Sequence, residues 1–134
     1  MAHRIFSPFI SINAVDLSAH CKSIKPGGGV QTHSDSSGPD TYQLYVPGGL
    51  LKMEPEVEFY QDYAAAAVDV TLRPINGTAV AVIWRPNPAA VGTTNPQYAA
   101  TCLVDYDPAG GDKGQPEMAR CKLLPTTDWV ITTA

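Results

Sequence analysis

Proline and glycine interrupt this chain so often that a fold built from long helices is excluded. The 134 residues include 12 prolines and 11 glycines, which divide the sequence into short segments. Proline breaks a helix in its interior, and glycine weakens helices through its backbone freedom. Short strands joined by turns remain compatible with this spacing. The sequence therefore predicts a mainly β fold in a single domain that covers residues 1–134.

Few residues of the chain carry a charge, although its apolar content is ordinary. Charged residues make up 16% and apolar residues 44%, whereas about a quarter of an average domain is charged. The net charge is −4 and the basic residues are scattered, which disfavours tight binding of nucleic acid. We expect part of the surface to be covered by other protein chains.

The apolar runs are too short for a membrane span, and the N-terminal one does not read as a secretion signal. The run from Ala79 to Trp84 is far below the roughly 18 residues that a spanning helix needs. Ser7 and Pro8 interrupt the N-terminal apolar stretch before a signal-peptide core can form. We expect a protein made in the cytoplasm without an export signal.

The candidate catalytic and metal-binding side chains form no recognisable site. The three cysteines are an odd number set in apolar segments, which is typical of reduced, buried thiols. No cysteine or histidine pair has zinc-like spacing. Gly27, Gly28 and Gly29 lack the lysine of a phosphate-binding loop. We expect no cofactor, no metal and no catalytic activity.

Several segments are predicted to be strands from their alternating or apolar pattern. The segment 118–124 should turn Ala119, Cys121 and Leu123 inward, and the segment 78–85, apolar on both faces, should be a central strand with both faces covered. Residues 4–12 and 17–24 should form an opening hairpin around a turn at 13–16. Residues 41–46, 50–60 and 97–107 complete the strands, and Pro47-Gly48-Gly49 is a predicted turn.

Three glutamates at alternate positions give the segment 50–60 an acidic face. Glu54, Glu56 and Glu58 share one side of this strand, and Met53, Pro55, Val57 and Phe59 share the other. The acidic side is a solvated surface, a pair of acid/base carboxylates as in a glycosidase, or a wall that repels DNA. Arg120 and Lys122 occupy the exposed face of their own strand and can lie opposite these glutamates.

Three further segments stand out. The spacing of Val68, Leu72 and Ile75 predicts the one helix of the chain, over residues 62–75. Residues 25–40 are rich in glycine, serine and proline and are predicted to be a long exposed loop, which at that length indicates a partner. The segment 126–134 contains Trp129 and Ile131 and is too apolar to remain free in solvent.

An ordered series of motifs begins at SINAVDLSAHCKSI and continues through VEFYQDYAAAAVDVTLRPINGTAVAVIWRP and NPAAVGTTNPQYAATCLVDYDPAGGDKG. In this series the chain resembles the tail tube proteins of long non-contractile-tailed, siphovirus-type bacteriophages, particularly those of actinobacterial hosts. The resemblance covers roughly residues 10 to 124. In this series, Ala14 stands where the family often has glycine, and the 25–40 segment is unusually rich in glycine and serine.

The resemblance implies an antiparallel β-sandwich or half-barrel with one flanking helix and a long inter-ring loop at residues 25–46. It also implies hexameric rings that stack into a tube, with an N-terminal arm at residues 1–9 and a C-terminal arm at 126–134. The partners would be further copies, the tape measure protein, the tail terminator and tail-tip proteins, and DNA passing through the lumen to the host. The protein would reside in the virion tail. The expected contact residues between copies are Phe6, Phe9, Val30, His33, Asp35, Tyr42, Leu44, Tyr45, Trp129 and Ile131, and the expected lumen residues are Glu54, Glu56, Glu58, Arg120 and Lys122.

Two alternatives remain open at this point. One is a tail terminator, head-tail connector or tail-end protein, which would form a single ring of the same fold. The other is a monomeric β-sandwich module that binds carbohydrate or peptide on Tyr42, Tyr45 and Tyr98. For these tyrosines, packing inside the domain or between subunits is the simpler interpretation.

Overall fold

The structure is a computed structural model that describes residues 5–34, 42 and 45–133, with the backbone alone at residues 31–34 and 45–52. The described residues form strands, one α-helix and one 3-10 turn. The bounds are β1 Phe9–Ile12, β2 Val15–Asp16, the 3-10 turn Ser18–His20, β3 Cys21–Lys25, β4 Gly29–Ser34, β5 Tyr45–Lys52, β6 Glu56–Tyr60, α1 Val68–Leu72, β7 Ala79–Arg85, β8 Gln97–Gly110, β9 Met118–Pro125 and β10 Val130–Thr132.

Eight strands form one antiparallel sheet. Seven follow the order β2-β1-β7-β8-β9-β6-β3, and β10 pairs with the first residues of β8, on the side opposite β7. β4 and β5 pair with each other as a separate two-stranded ribbon, called the ribbon below. The prediction of a mainly β, antiparallel, sandwich-like fold with one helix is confirmed.

One hydrophobic core lies against one face of the sheet. The alternation of β9 turns Ala119, Cys121 and Leu123 inward as predicted, each at most 1% exposed. Val57 and Phe59 of β6 are fully buried, which confirms the apolar face of that segment. The other core side chains are Ile10, Ile12, Leu17, Ile24, Val68, Leu72, Val82, Trp84, Cys102, Val104 and Tyr106.

The predicted central strand, β7, is an interior strand with β1 on one side and β8 on the other, and the middle of the strand order is β8. The prediction that both its faces are covered is wrong, because Ala79 and Ala81 are exposed on the outer face. Alanine is small enough that leaving it exposed costs little apolar burial. The outer face of β7 is therefore open to solvent within the described residues.

The opening hairpin is shorter than predicted. Asn13 and Ala14 both have positive φ, 52° and 65°, and form a two-residue turn between β1 and the two-residue β2. The predicted second strand does not return along β1, because Ser18–His20 forms a 3-10 turn and β3 pairs with β6 instead. β7 occupies the other margin of β1.

The predicted long loop, residues 25–40 or 25–46, is wrong for its described part. Residues 29–34 form β4, and β5 runs through the predicted Pro47-Gly48-Gly49 turn. The ribbon register shifts between Val30↔Leu51 and Thr32↔Pro47, so these turn residues form a bulge. Backbone hydrogen bonds hold a ribbon together even where glycine and serine offer little to bury.

The helix is also shorter than the predicted 62–75. α1 spans Val68–Leu72, with Val68 and Leu72 buried and Ile75 packed against the core just beyond it. Upstream, the Asp62 side chain accepts a hydrogen bond from the Ala64 N–H, and Ala66 adopts a positive φ of 58°. These local turns compete with the helical propensity of the four alanines.

Candidate functional site

The outer face of the sheet carries a ladder of charges that alternate in sign from strand to strand. In the first row, Asp105 of β8 lies opposite Lys122 of β9, which lies opposite Glu56 of β6, which lies opposite Lys25 of β3. Opposite charges at facing positions stabilise neighbouring strands, each pair contributing about 0.2–1 kcal/mol. We call this surface, with the row beside it, the charge ladder.

The second row of the charge ladder lies one strand pleat away. Asp107 lies opposite Arg120, and Arg120 lies opposite Glu58. The Arg120 Nε is 3.7 Å from a Glu58 carboxylate oxygen, and the Ser23 hydroxyl donates to the other oxygen at 3.3 Å. Each cation of the two rows thus has a carboxylate on either side, apart from Lys25 at the margin.

The fold brings four of the five expected lumen residues together in the charge ladder. Glu56, Glu58, Arg120 and Lys122 face one another across β6 and β9. Glu54 is partly buried in the segment between β5 and β6, outside the strand that carries the other two glutamates.

Sequence reasoning missed Asp105, Asp107 and Lys25 as members of this surface. The two aspartates alternate with the buried Val104 and Tyr106 along β8, and this alternation was the available signal. The register that sets them beside Lys122 and Arg120 was not available from the sequence. With them, four carboxylates meet three cations, so the ladder is close to neutral.

Exposed apolar side chains are found away from the ladder. Val30, at the start of the ribbon, is 64% exposed, Ile131 in β10 is 56% exposed, and Tyr42 is 79% exposed. Phe6 is also exposed, beside Ile5 at 87%. All but Ile5 are among the expected contact residues, and their exposure is compatible with that role.

Other expected contact residues make contacts within the chain or fall outside the described side chains. Phe9 belongs to β1, where the Arg85 guanidinium carbon lies 4.2 Å from the centre of its ring. The indole Nε1 of Trp129 donates to the Met53 carbonyl at 3.0 Å. His33 and Tyr45 lie in β4 and β5, where only the backbone is described. Asp35 and Leu44 lie outside the described residues.

Within the described part of the chain, three strands of the sheet have a partner on one side only: β10, which pairs with β8 alone, and the strands β2 and β3 at the two ends of the strand order. Among the described residues, β3 pairs with β6 alone and β2 pairs with β1 alone. Such margins present backbone donors and acceptors that another chain can pair with. The two margins lie at opposite ends of the strand order, so they are different surfaces.

Three titratable groups away from the charge ladder, Tyr106, Asp69 and Arg73, form one hydrogen-bond network. The Tyr106 hydroxyl donates to Asp69 at 2.9 Å and accepts from Gln61, and Arg73 binds the same carboxylate with two nitrogens. The Arg73 hydrogen bonds lower the pKa of Asp69, whereas burial raises the pKa of Tyr106 to about 12. This network ties α1 to β8.

The thiols are chemically quiet. Burial raises the pKa of Cys21 and Cys102 to about 11 and that of Cys121 to about 12, so the reactive thiolate is scarce at neutral pH. No group of three or more histidine, cysteine, aspartate or glutamate side chains within the described part of the chain could hold a metal ion.

Tyr98, one of the three tyrosines of the alternative binding platform, stacks on Trp84 at 4.4 Å between ring centres. Its ring is therefore used in packing, in line with the simpler interpretation. Tyr42 is exposed, and the Tyr45 side chain is not described.

Comparison with known proteins identifies no family. A scan against models of protein families found no match, and a search of curated proteins found none. Among the described residues, no helix has the length and apolar character needed to cross a membrane.

Proposed function

We propose that this chain is a structural virion protein that assembles with copies of itself into rings, and that the rings stack into a phage tail tube. The ordered motif series from residue 10 to 124 suggests the class of protein. The observation that carries the proposal is the pair of open strand margins, β2 and β3, at opposite ends of one sheet.

Two different margins favour head-to-tail assembly. When the margin of one copy pairs with the opposite margin of the next, the contact is heterologous, and a rotation that closes gives a ring. Closure satisfies the backbone groups that each margin exposes. Hexameric symmetry rests on the resemblance alone.

In this proposal the charge ladder lines the lumen. A wall in which cations alternate with carboxylates has no extended basic patch on which the DNA backbone could release counterions. DNA could then slide without being held. The exposed Val30 and Ile131 would lie at contacts between copies, where burial stabilises assembly by about 25 cal/mol for each Å² of apolar surface.

Electron microscopy of the purified protein over a range of concentration and salt tests assembly. We expect rings and tubes of uniform diameter. Monomers under every condition would refute the proposal, and rings that never stack would support the terminator or connector alternative. Glycan binding by a stable monomer would support the alternative binding module.

A charge reversal tests the lumen assignment separately. Glu56→Lys places three cations side by side in the first row, with Lys25 and Lys122. We expect the variant to assemble normally but its tubes to retain DNA at low salt. The double variant Glu56→Lys with Lys122→Glu breaks this run of cations and should release the DNA. Loss of assembly in Glu56→Lys alone would place the ladder at a contact between copies instead.

A further inference from the structure

The ribbon joins the sheet through two short segments, which together are called the base below. Residues 26–28 connect β3 to β4, and residues 53–55 connect β5 to β6. The pairs Lys25↔Glu56 and Gly29↔Lys52 flank this base, so the ribbon continues the β3–β6 pair with an interruption. The base therefore sets the direction in which the ribbon leaves the sheet.

The two segments of the base are in close contact. Gly27 has φ of +63°, and a Cβ atom at this position would lie 2.9 Å from the Glu54 carbonyl oxygen. On the other side, the Pro55 carbonyl accepts a hydrogen bond from the Leu123 N–H of β9 at 2.8 Å. This hydrogen bond fixes the Pro55 end of the segment 53–55 to the sheet. Met53, at the other end, directly follows the last residue of the ribbon.

The C-terminal segment 126–132 binds Met53 through a hydrogen bond from Trp129. The Trp129 indole Nε1 donates to the Met53 carbonyl at 3.0 Å, and both side chains pack against the core. The contact joins residues that are 76 apart in the sequence.

The same segment is bound to the first part of β8. The Thr126 N–H donates to the Thr101 carbonyl at 2.8 Å, the Thr101 N–H donates to the Thr127 hydroxyl at 3.0 Å, and β10 pairs with residues 97–99. Val130 and Ile131 are more than half exposed, so β10 gains little from apolar burial. Strands that bury little apolar surface open locally at a lower free-energy cost than the core strands.

We propose that the segment 126–132 is a latch for the ribbon. When the segment lies on β8, Trp129 reaches Met53 and fixes the base; when it leaves β8, the base loses this bond and the ribbon is free to change direction. Coupling of this kind is reciprocal, so a shift of the base also loosens the segment. The inference concerns the isolated chain and does not depend on the proposed assembly.

Hydrogen exchange measured by mass spectrometry tests the latch. Trp129→Phe keeps an aromatic ring but removes the donor to Met53. We expect backbone amides of the ribbon, residues 29–34 and 45–52, to exchange at least threefold faster, with those of β7 unchanged. The control is Val70→Ala, which trims a half-exposed side chain of α1, outside the segment and the expected contacts, and should leave ribbon exchange as it is.

Two further variants keep the proposal open to refutation if Trp129→Phe folds poorly. A chain that ends at Trp129 lacks β10 and should also show faster exchange in the ribbon. Gly27→Ala shifts the base from the other side and should speed exchange in residues 130–132. The latch would be overturned if the ribbon exchanged as in the wild type both in Trp129→Phe and in the chain that ends at Trp129. An equal increase of exchange in the ribbon and in β7 would overturn it as well.

Discussion

Gly27 is the residue whose identity depends most on its neighbour. Asn13, Ala14 and Ala66 also have positive φ, so a left-handed backbone alone does not demand glycine in this chain. At Gly27 the Glu54 carbonyl occupies the space that a side chain would need. The close approach of this carbonyl adds to the strain of the positive φ, and the two together exclude other residues at this position.

We therefore predict that Gly27→Ala lowers the free energy of unfolding by about 1–3 kcal/mol, since the strained backbone and the contact add. Chemical denaturation would measure this. Gly92→Ala is the control, because nothing lies within 4 Å of its Cβ position and its φ is not positive; we expect a change within about 0.5 kcal/mol. Equal effects of the two substitutions would contradict the assignment.

Tyr106 is expected to make the free energy of unfolding fall at alkaline pH. Burial raises its pKa to about 12 in the folded chain, against about 10 for an unperturbed tyrosine. A raised pKa contributes stability that is complete below about pH 10 and is lost as the pH rises towards 12. We expect Tyr106→Phe to flatten the fall in unfolding free energy between these pH values. A parallel pH profile in the wild type and the variant would contradict this.

At the scale of elements, α1 is too short to be stable by itself. A helix of five residues has few internal hydrogen bonds to offset the cost of nucleation, so its packing holds it in place. Leu72 is fully buried against the sheet, while Val70 on the other side of the helix is half exposed.

We predict that Leu72→Ala costs about 2–5 kcal/mol of unfolding free energy, from lost burial and the cavity left behind. Val70→Ala in the same helix should change it by less than about 0.5 kcal/mol. Thermal or urea unfolding of the two variants compares them directly. A small effect of Leu72→Ala would mean that α1 contributes little to the core.

The elements also show what the sequence could and could not predict. β6, β8 and β9 follow from alternation, because one face of each strand packs against the core. The extent of α1 does not follow, since the local turn at Asp62 outweighs the helical propensity of Ala64 to Ala67. β4 could not be predicted from burial, because its pairing with β5 uses backbone groups.

Alternation along the strands predicted part of the candidate surface, whereas the register between the strands could not be predicted from the sequence. The sequence identified Glu56, Glu58, Arg120 and Lys122 as exposed strand residues. It could not show that Asp105 and Asp107 extend the pattern, because strand pairing between β8 and β9 is a tertiary property. The sign alternation is visible only when the strands are placed side by side.

At the scale of the whole molecule, the thiols report on cooperative unfolding. Cys102 and Cys121 are fully buried in β8 and β9, and burial raises their pKa values to about 11 and about 12. We predict that a thiol reagent labels both only at the rate of global opening, whereas Cys21, which is partly exposed, reacts earlier. Mass spectrometry can follow the order of labelling. If Cys121 were labelled before Cys21, the core would not unfold as a single cooperative unit.

The order of strands in the sheet has a consequence for how the chain reaches this structure. β7, β8 and β9 are neighbours both in sequence and in the sheet, whereas β1 joins β7 and β6 joins β9 from the distant N-terminal half. Closing such long loops costs conformational entropy before the contacts between distant strands form, and this slows folding. The C-terminal meander can therefore act as the template to which the earlier half of the chain adds on both flanks, with refolding in the range of milliseconds to seconds.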